Sequence, residues 1–217
     1  MSHSFMSATV VLSTSHGQSP IMRRIVPALI LPFAASAAFA VPMTWHGDPY
    51  GSSMLLVFNH SDLIDIPLLA SGVSGTTEID DADGKITRLQ VDVDLRSLMS
   101  YTDVWPKALQ AENMLDVAKT PTLSFTMQSA SRNGEGGWTV RGPLTLHGVT
   151  RPAEFQLKPS VPHAFADRRY GGVTLTGTLN WRDYGTQYDP SKTEHASLGH
   201  GANITIYLEL VDKPHTP

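Results

Sequence analysis

The chain has 217 residues, 41% hydrophobic and 17% charged, which is typical of a globular protein and argues against disordered, collagenous or multi-span membrane chains. Its formal net charge of −4 provides no basic footprint for nucleic acid or for an anionic membrane surface. The sequence contains no cysteine, which excludes disulfides, thiol nucleophiles and thiolate metal sites.

An early segment has the features of a cleavable export signal. Arg23 and Arg24 form a basic start, residues 25–33 are apolar, and small residues lead to an expected cleavage after Ala40. A retained membrane anchor needs about 20 apolar residues, and this run is shorter and interrupted by proline. We therefore expect an exported, periplasmic protein with no stable membrane span.

The signal divides the chain into three parts. Residues 1–21 precede a methionine that begins a complete signal, and we interpret them as a non-native or disordered extension. Residues 22–40 form the signal peptide. Residues 41–217 are then expected to fold as a single domain, since they contain no internal repeat or low-complexity tract.

Most of this domain alternates apolar and polar residues with the period of a β-strand. The alternation is clear in residues 54–60, and in 89–96, where leucine and valine alternate with polar side chains. Turn signals such as Asp83-Gly84 and Gly171-Gly172 separate the runs. The other runs are 123–127, 138–146, 155–157, 173–181, 204–210 and, more weakly, 73–79.

One segment, 103–116, has a helical pattern instead. Asp103 is of a helix-capping type, and Pro106 suits the first turn. The residues predicted to lie along one side of this helix are Ala108, Ala111 and Leu115.

The elements together predict an all-β fold of about eight antiparallel strands with one short helix. Such strands can close into a barrel or stack as a sandwich, and we favour an eight-stranded barrel because closure removes exposed edges. A membrane-spanning barrel is disfavoured, because the runs lack aromatic girdles and only 8% of the residues are aromatic.

Histidines and acidic residues give only weak signals for a metal site. His195 and His200 lie in a predicted loop, where no strand or helix periodicity would direct both side chains toward one metal ion. Residues 80–84 resemble part of a calcium loop, but the bidentate glutamate is missing. For His60 and His147, at strand ends, a turn-fixing hydrogen bond is favoured over a ligand contact. No metal and no cofactor is predicted.

Catalysis is the minority interpretation. No Gly-x-Ser-x-Gly elbow is present, and Ser197 is close to His195 in sequence only. Asp183 and Glu194 could act as a carboxylate pair, although nothing indicates a shared cleft. A hydrolase using His195 and Asp183 therefore stays the less favoured alternative, and no catalytic residue is predicted.

Four segments resemble one protein family. Residues 142–152, GPLTLHGVTRP, followed by an alternating strand, are similar to a stretch of the bacterial YceI-like polyisoprenoid-binding proteins. Residues 54–60 resemble the first strand of that family, 115–125 its block ending in P-T-x-x-F, and 179–185 a turn near its end. The resemblance covers nearly all of the chain after the signal peptide.

The chain departs from the family at the helix. Residues 105–109, WPKAL, replace an arginine, an aspartate and a histidine that begin the family's helix, and Met114-Leu115 replace an aromatic pair. The loop 185–200 is also longer than usual. We expect the altered helix to lie against the mouth of the barrel.

The resemblance implies a lipocalin-like barrel that holds an isoprenoid or quinone-like lipid in an apolar lumen. Two other functions stay open: a ligand-free structural or protein-interaction barrel, and the hydrolase. The expected partners are a hydrophobic small molecule and, through an exposed barrel face, a second copy in a homodimer, but no nucleic acid. The residues predicted to line the lumen are Met54, Leu56, Phe58, Leu123, Phe125, Leu144, Leu146 and Trp181.

Overall fold

Antiparallel strands make up nearly all of the regular structure. The structure is a computed structural model that describes residues 43–80, 85–187 and 198–214. The predicted signal peptide with its cleavage site, the extension before it, and the loop residues Glu194, His195 and Ser197 lie outside the described residues. All described residues belong to one unit of the chain, Phe39–Pro217.

Thirteen strand segments are present in the described ranges. They are β1 (Met43–Gly47), β2 (Ser53–His60), β3 (Ile64–Ala70), β4 (Val73–Asp80), β5 (Lys85–Asp94), β6 (Leu98–Met99), β7 (Thr122–Thr126), β8 (Ser129–Arg132), β9 (Trp138–Leu146), β10 (Val149–Pro159), β11 (His163–Phe165), β12 (Arg168–Asn180) and β13 (Leu198–Val211). The helical segments are α1 (Val104–Gln110) and two 3-10 turns, Leu95–Ser97 and Trp181–Tyr184.

Hydrogen bonding closes eight of these strands into a ring. The neighbours run in the order β12, β10, β9, β7, β5, β4, β1 and β13, and β13 pairs with β12 again. Every adjacent pair is antiparallel. The predicted antiparallel barrel is therefore confirmed.

Several segments are halves of longer, bent strands. One edge of β13 pairs with β12 from Val211 to Gly201. The opposite edge pairs with β2 and, nearer its end, with β1. Between β1 and β2 the chain turns at Asp48, whose side chain accepts a hydrogen bond from the Tyr50 backbone N–H at 2.9 Å. Because the chain turns at Asp48, the short strands β1 and β2 can both pair with the long strand β13.

Side chains alternate between the interior and the surface along the ring, because successive residues of a strand point to opposite faces. In β13 every second residue from Ala202 to Leu210 is buried, and the residues between them are partly or fully exposed. These buried residues are Ala202, Ile204, Ile206, Leu208 and Leu210. The period-two pattern of the sequence therefore identifies the residues of each strand that face the core.

The strand predicted at 89–96 ends two residues early. β5 stops at Asp94, and Leu95 begins the first 3-10 turn. The Asp94 carboxylate accepts a hydrogen bond from the Arg96 backbone N–H at 2.9 Å and pairs with the Arg96 guanidinium at 2.8 Å. These interactions with Arg96 hold the pKa of Asp94 below its usual value. A capping side chain ends the strand here, which apolar periodicity alone does not reveal.

The turn predicted at Gly171-Gly172 is wrong, because both glycines lie inside β12. The chain reverses before β12, close to Ala166, which has a positive φ of 54°. A Cβ at Gly172 would lie 3.3 Å from the Leu208 carbonyl oxygen, and one at Gly171 would lie 3.5 Å from the Trp45 ring. Close packing therefore accounts for Gly172, whereas the distance at Gly171 is an ordinary van der Waals contact.

The helix predicted over 103–116 is shorter than expected. α1 ends at Gln110, and its buried residues are Pro106 and Leu109. The predicted face of Ala108 and Ala111 is therefore wrong, although Leu115 is buried beyond the helix end. The Asp103 side chain makes no capping hydrogen bond, so the helix begins without the expected cap.

Candidate functional site

The eight residues predicted to line a lumen all lie in the interior. Each is at most 3% exposed. They come from three strands and a turn: Met54, Leu56 and Phe58 from β2, Leu123 and Phe125 from β7, Leu144 and Leu146 from β9, and Trp181 from the second 3-10 turn. They belong to one continuous core. Their burial fits a lumen wall and a packed core equally well.

The interior also contains aromatic side chains that the prediction of lining residues did not include. Phe155 on β10 packs edge-to-face on Phe125, with ring centroids 4.8 Å apart. Trp45 on β1 and Trp138 on β9 are 0% and 5% exposed. Phe155 and Trp138 lie in runs with strand periodicity, so alternation could have included them, whereas Trp45 lies in a segment too short to show a period.

One end of the barrel is covered by α1, and we call it the helix end. Trp105 of α1 lies edge-on to Phe58, with ring centroids 5.8 Å apart, and 4.8 Å from the ring of His60. Leu109 is fully buried below it. The altered helix therefore lies against the interior, as its apolar residues predict.

Most polar groups at the helix end have partners. The Trp181 indole N–H donates to the Gly199 carbonyl oxygen at 3.1 Å. His147 Nδ1 lies 3.0 Å from the Tyr184 carbonyl oxygen, which confirms the hydrogen bond predicted for this histidine. Burial, assisted by the charge of Asp183, raises the pKa of the Tyr184 phenol. Three buried atoms at this end have no hydrogen-bond partner among the described residues: His60 Nδ1, the neighbouring Asn59 Oδ1, and Thr186 Oγ1 just after the second 3-10 turn.

The opposite end contains Trp45 and Trp138, and we call it the tryptophan end. Three ring strands separate β1 from β9 in either direction, so the two indoles lie on opposite walls. Because four antiparallel steps connect β1 to β9, the two strands run the same way, and each tryptophan lies near the start of its strand. Neither indole N–H has a hydrogen-bond partner among the described residues.

Grooves on the outer surface offer a second kind of site. One of about 520 Å³ lies along β9 and β10 and includes Arg141 and Glu154, which form an ion pair at 2.8 Å. A polar groove of about 530 Å³ includes His147 and Lys119, and hydrogen bonds to Asp116 and Glu112 raise the pKa of Lys119. Neither groove is lined by any of the eight predicted residues.

Groups suited to metal binding do not cluster in the described ranges. No cluster of three or more histidine or acidic side chains that could hold a metal occurs there. Asp183 is exposed, and its backbone carbonyl accepts a hydrogen bond from Arg151. The hydrolase alternative also needs His195, which lies outside the described residues. Four of the five residues at 80–84, the partial calcium loop, also lie outside them. Within the same ranges, no helix is long and apolar enough to cross a membrane.

An antiparallel ring of eight strands around an apolar interior, covered at one end by a short helix, defines the lipocalin-like class of β-barrels. Within that class the chain belongs to the YceI-like family, because the family profile of the YceI-like domain matches residues 45–211. A UPF0312 protein of Vibrio cholerae is 30% identical over 163 residues, which cover 72% of this chain and 82% of that protein.

Other relatives match over a shorter region. A UPF0312 protein of Pseudomonas savastanoi is 32% identical over 115 residues, 51% of this chain and 58% of the relative. The match thus spans little more than half of that relative's length.

Solved structures share the fold at low identity. A Campylobacter jejuni YceI protein superposes with a TM-score of 0.61 at 18% identity, covering 72% of this chain and 90% of that one. A polyisoprenoid binding domain from Saccharophagus degradans gives a TM-score of 0.55 at 15% identity, covering 78% and 98%. These likenesses establish the barrel.

Proposed function

We propose that this protein binds an isoprenoid or quinone-like lipid inside the barrel and catalyses no reaction. The observation that carries the proposal is the closed ring of strands whose inward side chains, Thr77 of β4 apart, form one apolar core. Membership of the YceI-like family supports it, as does the fold shared with a polyisoprenoid binding domain.

Hydrophobic burial alone supplies enough free energy for such binding. Each methylene-like carbon removed from water contributes about 0.8 kcal/mol. About ten carbons therefore contribute on the order of 8 kcal/mol, the scale of a micromolar dissociation constant before ordering costs are subtracted. The proposed lining residues Phe58, Phe125 and Leu144 need only exclude water and accept the chain.

Organic extraction of the protein tests this function directly. The protein is purified without refolding from the compartment to which its host exports it, extracted with solvent, and the extract is examined by mass spectrometry. We expect a co-purifying isoprenoid lipid, and we expect the emptied protein to rebind a long-chain quinone. Failure of both measurements would overturn the proposal.

We also propose that the protein is exported to the periplasm after cleavage following Ala40. The basic start, the apolar run and the small residues before this position support it. N-terminal sequencing of the exported protein should begin at Val41. A mature chain that still carries Arg23 and Arg24 would contradict the proposal.

A structural or protein-interaction barrel is the second candidate, and the near-complete burial of the interior side chains favours it. Leu56→Ala separates the two functions. In a solid core this change costs about 2–5 kcal/mol of unfolding free energy, whereas in a lipid-lined cavity it weakens lipid binding and costs less stability. The homodimer stays a prediction, which analytical ultracentrifugation of the exported protein would test.

A further inference from the structure

The two tryptophans at the tryptophan end bury hydrogen-bond donors that nothing in the described part of the chain accepts. The Trp45 and Trp138 side chains are 0% and 5% exposed, and Nε1 of each is buried without a partner. Leaving such a donor unpaired costs about 1–3 kcal/mol, and most buried polar groups in proteins therefore have a partner. Two such donors in one layer of a small barrel need an explanation.

Both indoles are held in place by groups other than their N–H. The Arg132 guanidinium lies 4.4 Å from the centre of the Trp138 ring, and the Arg169 guanidinium lies 5.2 Å from that of Trp45. These cation–π contacts occupy a ring face and leave the N–H edge unpaired. They also bring positive charge to this end, which favours an oxygen-rich ligand group over an apolar one.

Both tryptophan side chains belong to the interior. Trp45 and Trp138 lie on opposite walls of the ring, toward the same end, with their side chains on the buried face. The interior between this end and α1 is lined by aliphatic and aromatic side chains such as Leu56, Phe125 and Phe155. A ligand with one polar terminus and a hydrocarbon tail would match this distribution of polar and apolar groups.

We propose that Trp45 and Trp138 form a subsite for the polar head of the bound lipid, donating hydrogen bonds to a carbonyl or phosphate oxygen. The hydrocarbon tail then extends toward Trp105 at the helix end. This inference rests on the proposed function and adds to it an orientation of the lipid and a requirement for a hydrogen-bond acceptor.

The test compares three ligands with the same hydrocarbon: farnesene, which has no head group, farnesyl phosphate, and a quinone that carries a farnesyl side chain. Dissociation constants are measured for the wild-type protein, Trp45→Phe, Trp138→Phe and the double variant. We expect each single substitution to weaken binding of the quinone, the phosphate or both by about fivefold, and to leave farnesene binding less affected. The ligand whose affinity falls more shows whether the acceptor is a phosphate oxygen or a quinone carbonyl oxygen.

Trp181→Phe is the matched control. The Trp181 N–H already donates to the Gly199 carbonyl oxygen, so this change should alter binding of all three ligands by the same factor. An equal change for all three ligands in the Trp45 and Trp138 variants would overturn the head-group subsite while leaving the lipid-binding function intact. Failure of the wild-type protein to bind any of the three would overturn both.

A spectroscopic measurement on the wild-type protein needs no substitution. The chain has four tryptophans, so ¹⁵N-labelled protein gives few indole N–H signals to assign. Adding a head-bearing ligand should move the Trp45 and Trp138 indole proton signals downfield, whereas farnesene should not, and Trp181 provides the reference. Unchanged Trp45 and Trp138 signals at saturation would mean that water, rather than the lipid, pairs with these donors.

Discussion

The helix end and the tryptophan end differ in how their buried indole N–H groups are paired. At the helix end, Trp181 and His147 each bond to a backbone carbonyl oxygen, and α1 covers the interior with Trp105. At the tryptophan end, two indole donors are buried without a partner. Since unpaired buried donors are costly, the Trp181 indole resembles part of a finished core, whereas the Trp45 and Trp138 indoles resemble groups prepared for a ligand.

Among the substitutions that test this comparison, removal of the Leu109 side chain of α1 should lower the unfolding free energy most. Leu109→Ala should lower the unfolding free energy by about 2–5 kcal/mol, because the side chain is fully buried and its loss leaves a cavity. Urea denaturation measures the change. Lys107→Ala is the control, since Lys107 is exposed and should change stability little. A loss below 1 kcal/mol would mean that α1 does not close the helix end.

Tryptophan-to-phenylalanine changes compare the two ends directly. Trp181→Phe and Trp45→Phe remove the same atoms from buried sites, but only Trp181 loses a hydrogen bond. In lipid-free protein we therefore expect Trp181→Phe to cost about 1 kcal/mol more than Trp45→Phe. Equal losses of unfolding free energy would show that the two donors are paired alike in the free protein.

A smaller effect is expected at the turn that follows β5. Asp94→Ala should cost about 1 kcal/mol, mostly from the lost cap, because solvent screens the ion pair with Arg96. The matched change Asp103→Ala should cost less, since Asp103 makes no capping hydrogen bond. Chemical denaturation of both variants at neutral pH measures the difference.

The pH dependence of the Asp94 effect has a definite sign. Its pKa in the folded protein is lowered by Arg96, so its contribution to stability is complete above the ordinary aspartate pKa of about 4. That contribution disappears as the pH falls through the lowered value. The stability difference between wild type and Asp94→Ala should therefore shrink in acid, and a difference that grows in acid would contradict the assignment.

The smallest effect is expected at His60, one of the unpaired groups of the helix end. His60→Phe keeps a ring against Trp105 and removes a buried nitrogen without a partner, so unfolding free energy should change by less than about 0.5 kcal/mol. His147→Phe, which breaks the bond to Tyr184, should cost about 1 kcal/mol. A large loss for His60→Phe alone would reveal a partner for this histidine.

The barrel could be predicted because its strands are half-buried. In β5, β9 and β13, apolar residues alternate with polar ones, and alternation reports which face meets the core. β3 escaped prediction because Pro67 and Leu69 face outward between buried apolar residues. The bend at Asp48 was also missed, since a strand shared between two partners depends on neighbours that are distant in sequence.

Only part of the candidate site could be predicted from the sequence. Periodicity identified inward residues such as Phe58 and Phe125, and all eight are buried. Alternation reports the face of a strand, however, and says nothing about whether a side chain finds a hydrogen-bond partner. The unpaired indoles of Trp45 and Trp138 depend on atoms several strands away, so only the three-dimensional structure reveals them.

The pairing of β13 with β1 and β2 joins the last strand of the barrel to the first. Within the described residues β13 bridges β12 and β1, so the contacts that complete the ring link residues far apart in sequence. Topologies of this kind fold slowly, because a long loop must close before its contacts are gained. A chain truncated before Leu198 would expose two unpaired strand edges, which are templates for aggregation.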